Sequence, residues 1–177
     1  MISNAMAQRL NGQINKEFYS AYFYMNMSAH SESANLQGTA AWFMAKYDEE
    51  MARAMEIYRY LHDQGARVEL EAVDKPHDRL RGRARHVRED PRLCLYEQAA
   101  TASFSELMEA ALAKKDHATS IFLQWLVTGQ IEEEATVSNI ICRVKLVGER
   151  GEGLFMIDNE LAGIAKQMSQ TLAAQSQ

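Results

Sequence analysis

Apolar side chains recur along most of the chain at the alternating spacing of four and three residues that places them on one face of an α-helix. Four long rows of this kind predict four amphipathic helices, and a shorter fifth row runs from Leu154 to Leu172. The apolar members of the four rows are Leu10, Ile14, Ala21 and Tyr24; Phe43, Tyr47, Ala54, Ile57 and Leu61; Leu93, Ala100, Phe104, Leu107 and Ala111; and Leu123, Leu126, Val137, Ile140 and Val144. Only nine glycines and two prolines interrupt the 177 residues. An all-α fold is therefore predicted.

The predicted helix boundaries leave one long connection. The helices are predicted at about 5–33, 39–64, 91–115, 118–147 and 154–173, with Gly65 in the left-handed position after the second and three glycines in a tight loop before the fifth. Residues 66–90 have no helical period, and a four-helix bundle with one long crossover uses such a segment to keep its second and third helices parallel. This pattern predicts a single domain over residues 1–177, whose fifth helix packs on a neighbouring subunit.

Each of the four rows also contains a carboxylate or carboxamide where a leucine is expected. These residues are Glu17, Glu50, Glu97 and Gln130, with Glu133 following three residues after the last of them. An unpaired buried carboxylate is costly, so converging acids need a cation between them. Oxygen ligands suit iron, manganese or zinc, and a carboxylate can bridge two ions. One such glutamate alone is more often explained by a misjudged helix phase, but four in mid-helix predict a dinuclear metal site.

Composition excludes several other classes of protein. No run approaches the roughly 18 apolar residues that a membrane span needs, and the start lacks the features of a signal peptide. Cys94 and Cys142 are far apart within helical pattern, so a disulfide framework is not expected. The net charge of −5 argues against a general polyanion binder. A soluble, cytoplasmic protein is expected.

Several motifs together resemble the bacterial haem-free ferritins over most of the chain. They are Glu17 followed by Tyr24, the pair Glu49-Glu50, Glu97, the run from Phe122 to Trp125, the run from Gln130 to Glu134, and the segment from Gly151 to Asp158. The resemblance implies a ferritin-like subunit of five helices, a hollow shell of 24 subunits and storage of iron as a ferric mineral. It also implies a dinuclear ferroxidase centre in each bundle, which oxidises Fe(II) with dioxygen or peroxide. Haem-free ferritins commonly carry a methionine at the position of Met51, where bacterioferritins bind haem, so no haem is expected.

The resemblance also implies a role for each matched residue. Glu17 would be a terminal ligand of the first iron, Glu50 the bridge and Glu97 a ligand of the second iron. Gln130 would hydrogen-bond the oxidant or bound water, and Tyr24 would be a nearby redox-active or hydrogen-bonding residue. The matches to the accessory region for a third iron are Glu49, Glu132 and Glu133.

The chain departs from the family pattern three residues after the bridging glutamate. The family carries a histidine there, and this chain carries Arg53. Arginine stays protonated and has no lone pair for a metal ion. One turn from Glu50, its guanidinium could pair with Glu50 or Glu17 and stand in for the missing cation, or it could point to solvent. Gly129 also stands where the family often has an accessory glutamate. The sequence therefore leaves open an active ferroxidase or a structural shell subunit whose centre Arg53 disables.

A second departure is the segment of residues 77–95, which does not resemble the family. It contains six of the 19 basic residues of the chain: Arg79, Arg81, Arg83, Arg85, Arg88 and Arg92. A solvated crossover or a contact between subunits is the preferred interpretation. A shell that binds DNA through these arginines is a third and less favoured hypothesis, because no aromatic residues are interleaved and the remainder is acidic.

Overall fold

A computed structural model of the chain describes residues 2–76, 91–147 and 151–175. Within these ranges the chain forms helices and no strand. The five helices are Asn4–Ser33 (α1), Gln37–Asp63 (α2), Pro91–Ala113 (α3), His117–Val147 (α4) and Gly151–Gln175 (α5). Every end lies within three residues of its predicted position, so the prediction of an all-α chain with five helices is confirmed. None of these helices is both long enough and apolar enough to span a membrane.

The ends of the helices follow from local chemistry. Gly65 has φ 69° and its N–H donates to the carbonyl of His62, while the N–H of Ala66 donates to the carbonyl of Leu61. This is the glycine cap predicted for α2, because glycine adopts positive φ without a Cβ penalty. At the start of α4, the backbone N–H of Thr119 donates to Asp116 Oδ1 over 3.1 Å. Asp116 thus caps one of the N–H groups that a helix start leaves without an intrahelical partner.

The chain divides into two compact units. Unit 1 comprises Met1–Lys16, Arg53–Ala72 and Pro91–Ile140, and unit 2 comprises Glu17–Ala52, Val73–Asp90 and Ile141–Gln177. The apolar residues of the four predicted rows are at most 5% exposed, except Tyr47 and Ala100, which are half-buried. The helical phase read from the sequence is therefore correct. The single domain predicted over residues 1–177 stays a prediction.

The first part of the connection after α2 lies against α1 in unit 1. Asn11 Nδ2 donates to the carbonyl of Arg67 and Asn11 Oδ1 accepts from the N–H of Glu69, each over 3.0 Å. Asn15 Nδ2 donates to the carbonyl of Ala72 over 3.0 Å. Two amide side chains of one helix face therefore satisfy backbone groups that have no helix or strand to bond to. Residues 77–90 and the side chain of Arg92 lie outside what the structure describes, so the predictions for the arginine segment stay predictions.

The fifth helix has a packing partner in its own chain, which the sequence did not predict. Ile157, Leu161 and Ala165 are buried within the chain. Asp158 accepts hydrogen bonds from the N–H of Gly38 over 3.0 Å and from the N–H and hydroxyl of Thr39, each over 2.7 Å. Asp158 caps the start of α2, and Gly38 allows this approach because a Cβ there would collide with the Asp158 carbonyl. The expected contact of α5 with a neighbouring subunit stays a prediction.

The helix α5 begins earlier than the glycine-rich sequence suggested. Gly151 to Gly153 were predicted to be loop, but α5 starts at Gly151. Glu152 lies in the first turn, where a negative charge is favourable at the positive end of the helix dipole. A Cβ on Gly153 would lie 2.7 Å from the Cβ of Val147. This glycine therefore serves a close contact within unit 2, not a turn.

Candidate metal site

Two of the predicted site residues meet in the core of unit 1. Gln130 on α4 is 0% exposed and Glu97 on α3 is 1% exposed. Gln130 Nε2 donates to Glu97 Oε2 over 2.6 Å. Because this bond uses the amide nitrogen, the orientation of the Gln130 side chain is set and its oxygen is left to face another donor.

That donor is Arg53 on α2. Its side chain is only 9% exposed, and Nη1 donates to Gln130 Oε1 over 3.2 Å. Nη2 lies 2.8 Å from Glu133 Oε1, and the guanidinium carbon lies 5.9 Å from the ring centroid of Phe104. The alternative that Arg53 points to solvent was therefore wrong. It lies inside unit 1 and contacts two of the residues that the resemblance assigns to iron chemistry.

The electrostatic consequence is a fixed positive charge inside unit 1. Arginine cannot lose its proton in a protein and cannot ligate a metal, but its planar fork can donate to two oxygens at once. Here the fork donates to an amide and a carboxylate on successive turns of α4. It therefore places a counter-charge beside Glu133 and holds the Gln130 oxygen.

The remaining predicted residues of the centre lie in unit 2. Glu17 on α1 and Glu50 on α2 are 2% and 3% exposed, and Tyr24 is fully buried. The Tyr24 ring packs against Phe43 with centroids 6.1 Å apart and against Phe23 with centroids 5.7 Å apart. Carboxylates at such burial require compensation by hydrogen bonds or a cation. The prediction that Glu17 and Glu50 face the core is confirmed by their burial.

Sequence reasoning missed one residue of this region, Lys46. It is buried, with 5% of its side chain exposed, and its Nζ lies 2.8 Å from Glu49 Oε2. The same Nζ lies 5.9 Å from the ring centroid of Tyr24. The available signal was the spacing of three residues to Glu49 on a helix, next to the buried row of Phe43 and Glu50. A lysine on a helix is ordinarily expected to reach solvent, whereas Lys46 is buried.

The accessory residues differ in their surroundings. Glu49 is 31% exposed in its side chain and Glu133 is 12% exposed, and each has a buried cation beside it. Glu132 is exposed, while Glu134 accepts a hydrogen bond from Thr101 over 2.9 Å. Three residues in sequence thus have three different environments. Their positions around α4 distinguish them: Glu133 lies toward Arg53 of α2, Glu134 toward Thr101 of α3, and Glu132 toward solvent.

The donor types fit a carboxylate-bound iron ion, with one gap. Glu17, Glu50, Glu97 and Gln130 offer the hard oxygen atoms that iron accepts. No nitrogen donor accompanies them, since the described histidines His30, His62 and His117 lie at helix ends. Within residues 2–76, 91–147 and 151–175, no group of three or more His, Cys, Asp and Glu side chains is arranged as a preformed metal site. These four residues therefore offer an ion oxygen donors alone.

A family model described as a ferritin-like domain matches residues 7–147, a range that contains every candidate residue above. The chain belongs to the ferritin family. It is 36% identical over 165 residues to a bacterial non-heme ferritin of Campylobacter jejuni, covering 93% of this chain and 97% of that protein. It is 31% identical over 165 residues to a probable bacterial non-heme ferritin-like protein of Haemophilus influenzae, covering 93% and 98%. The resemblance read from the motifs is confirmed.

Solved structures give the same result for the fold. An open pore ferritin of Archaeoglobus fulgidus is similar with a TM-score of 0.86 and 36% identity, covering 92% of this chain and 98% of that one. A humanized archaeal ferritin has a TM-score of 0.86 and 34% identity, with the same coverage. The chain therefore has the ferritin-like four-helix bundle fold, with the long connection between α2 and α3 and a fifth C-terminal helix, as predicted.

Proposed function

We propose that this chain is the subunit of an iron-storage ferritin that oxidises Fe(II) at carboxylates inside its bundle and stores Fe(III) as a mineral. The observation that carries the proposal is the burial, at 3% exposure or less, of four polar groups in mid-helix: Glu17, Glu50, Glu97 and Gln130. Membership of the ferritin family supports iron as the substrate. Burial of such groups without a functional reason would only cost stability.

In this proposal the carboxylates bind two Fe(II) ions per chain and Glu50 bridges them. Each ion gives one electron to dioxygen, which takes up two protons and leaves as hydrogen peroxide; with peroxide as oxidant, the same two electrons and two protons yield two water molecules. Carboxylates favour the more highly charged Fe(III) product, since hard anionic oxygens bind it more strongly. Gln130 holds Glu97 through its amide nitrogen. Tyr24 is the nearby redox-active or hydrogen-bonding residue of the centre.

Further parts of the proposal rest on the family alone. Glu49, Glu132 and Glu133 form the accessory iron region, the subunits assemble as a homo-oligomeric shell of 24 copies, and the shell works in the cytoplasm without haem. A sedimentation measurement on the purified protein tests the shell. An assembly much smaller than 24 subunits would contradict that part.

Stopped-flow oxidation of Fe(II) tests the enzymatic part. Wild type loaded with about two ions per chain should oxidise them quickly on mixing with oxygen, and further Fe(II) should react more slowly. Glu50→Gln should remove the fast phase, because an amide bridges two cations poorly. The matched control is Glu56→Gln on the same helix, whose carboxylate pairs with exposed Arg59 over 2.9 Å. Equal rates in wild type and Glu50→Gln would refute oxidation at this centre.

A second candidate function is favoured by the placement of Arg53. A guanidinium that contacts Gln130 and Glu133 inside unit 1 is the arrangement expected of a structural shell subunit whose oxidation centre is disabled. Such a subunit oxidises Fe(II) slowly and shows no saturation at two ions per chain. Arg53→His separates the two functions, because it restores a nitrogen donor. A fast phase present only in Arg53→His supports the structural subunit, and a fast phase already present in wild type excludes it.

A further inference from the structure

Two buried basic residues flank Glu50 on α2. Lys46 precedes it by four residues and Arg53 follows it by three. Lysine and arginine are almost never buried unless they are paired. Here each has a carboxylate partner of the accessory region at 2.8 Å, Glu49 for Lys46 in unit 2 and Glu133 for Arg53 in unit 1. One helix thus carries a buried cation for each of two acidic side chains.

Each cation is also held by an aromatic ring. The Lys46 ammonium lies 5.9 Å from the centroid of Tyr24, and the Arg53 guanidinium lies 5.9 Å from the centroid of Phe104. Attraction between a cation and a ring face grows when both are removed from water. The ring and the carboxylate together fix each head group in place, so neither cation is a mobile surface charge.

We propose that Lys46 and Arg53 are resident counter-ions, which occupy the electrostatic position of a metal ion beside Glu49 and Glu133. An entering iron ion is repelled by the side-chain cation already paired with each of these carboxylates, so it binds them weakly unless it displaces that cation. The inference rests on the proposed function in one respect, that iron enters the bundle. It adds that this chain carries charges of its own that limit how many ions the bundle holds.

The two counter-ions differ in strength. Arg53 stays charged at every accessible pH and its planar fork donates to Gln130 and Glu133, whereas the lysine head group is a compact point charge, paired here with Glu49 over 2.8 Å. Glu133 is also less exposed than Glu49, so less water screens the pair. Arg53 should therefore exclude a metal ion more strongly than Lys46.

Calorimetric titration with Zn(II), which has no redox chemistry, tests the proposal. The variants are Lys46→Gln, Arg53→Gln and the double variant, which remove charge while keeping a polar side chain. The matched controls are Lys46→Arg and Arg53→Lys, which keep the charge, and Arg59→Gln, which removes an exposed charge from the same helix. The neutral variants should bind up to about one more Zn(II) per chain than wild type, with at least tenfold tighter binding in Arg53→Gln, and the three controls should match wild type.

Two results would overturn the proposal: neutral variants that bind no more Zn(II) than wild type, or charge-retaining variants that gain as much. If a neutral variant is too unstable to titrate, its melting temperature with and without Zn(II) decides instead. A larger rise than in wild type supports the proposal, and an equal rise contradicts it. The proposed function fails separately, if wild type neither binds Zn(II) nor oxidises Fe(II), since the comparison between variants does not need a wild-type site.

Discussion

The two units balance buried acid with buried base by different means. In unit 1, Arg53 spreads its charge over an amide and a carboxylate and fixes the Gln130 side chain between itself and Glu97. In unit 2, Lys46 pairs with Glu49, a carboxylate that water still reaches. The guanidinium therefore links α2 directly to α4 and, through Gln130 and Glu97, to α3. The ion pair of the ammonium lies within α2. Both cations are buried, so we expect the exposure of the partner carboxylate, 31% for Glu49 and 12% for Glu133, to determine how much stability depends on each pair.

The largest expected loss of stability comes from removing the Arg53 guanidinium from unit 1. Arg53→Met keeps volume but leaves Glu133 and Gln130 without this partner, so the free energy of unfolding should fall by about 3–5 kcal/mol. Lys46→Met should cost only about 1 kcal/mol, because Glu49 can regain water. Denaturant unfolding followed by circular dichroism measures both. Equal losses of unfolding free energy in the two variants would show that the different exposure of Glu133 and Glu49 does not matter.

A smaller loss of stability is expected when either of two helix caps is removed, and the two caps should differ. Asp116 in unit 1 caps its own helix from three residues away, whereas Asp158 in unit 2 caps α2 from 120 residues away. Asp116→Ala should cost about 1 kcal/mol, the usual value for a lost helix cap. Asp158→Ala should cost about 2 kcal/mol, since three hydrogen bonds and the docking of α5 are lost together.

The readout for this pair is hydrogen exchange. In Asp158→Ala, the amides of α5 and of the first turn of α2 should exchange faster, while in Asp116→Ala the change should stay at the start of α4. Asn159→Ala, an exposed neighbour of Asp158, is the control and should leave both regions unchanged. Unchanged exchange in α5 of Asp158→Ala would contradict its role in docking.

The smallest effect concerns a tyrosine of unit 1. Burial raises the pKa of Tyr60 above its ordinary value near 10, with a smaller rise from the charge of Asp116, while its hydrogen bond with Thr119 acts in the opposite direction. The folded state therefore holds this proton more tightly than the unfolded state. The corresponding stability is fully present below the unfolded pKa and is lost as pH rises through the raised folded pKa.

Tyr60→Phe should remove that dependence. It keeps the stacking on Phe122, whose centroid is 4.0 Å away, but loses the 2.9 Å hydrogen bond with Thr119, at a cost of about 1 kcal/mol at neutral pH. Above pH 10 the difference in the free energy of unfolding between wild type and Tyr60→Phe should become smaller. Denaturant unfolding at several pH values measures this difference. A difference that grows with pH would contradict a raised pKa of Tyr60.

The fold could be predicted from the sequence almost completely, and the candidate site only in part. Helical periodicity is a local property, so the phase that buries Leu10 and Ile14 also placed Glu17 in the core. The apolar rows of α3 and α4 did the same for Glu97 and Gln130. The end of α2 was predictable for the same reason, because the backbone there needs a positive φ and Gly65 adopts one readily. By contrast, neither the burial of Lys46 nor the direction of Arg53 followed from spacing. A long basic side chain can reach solvent or core from the same backbone position.

By itself, the sequence determined the five helices, the polar groups on their buried faces and the family to which the chain belongs. Only the tertiary structure decided that Arg53 turns inward to Glu133 and Gln130, that Lys46 is buried beside Glu49, and that Asp158 caps α2. The physical reason is the range of the interactions. Helix formation depends on neighbours within one or two turns, whereas the partner of a buried charge or the donor for a distant cap is fixed by which segments pack together.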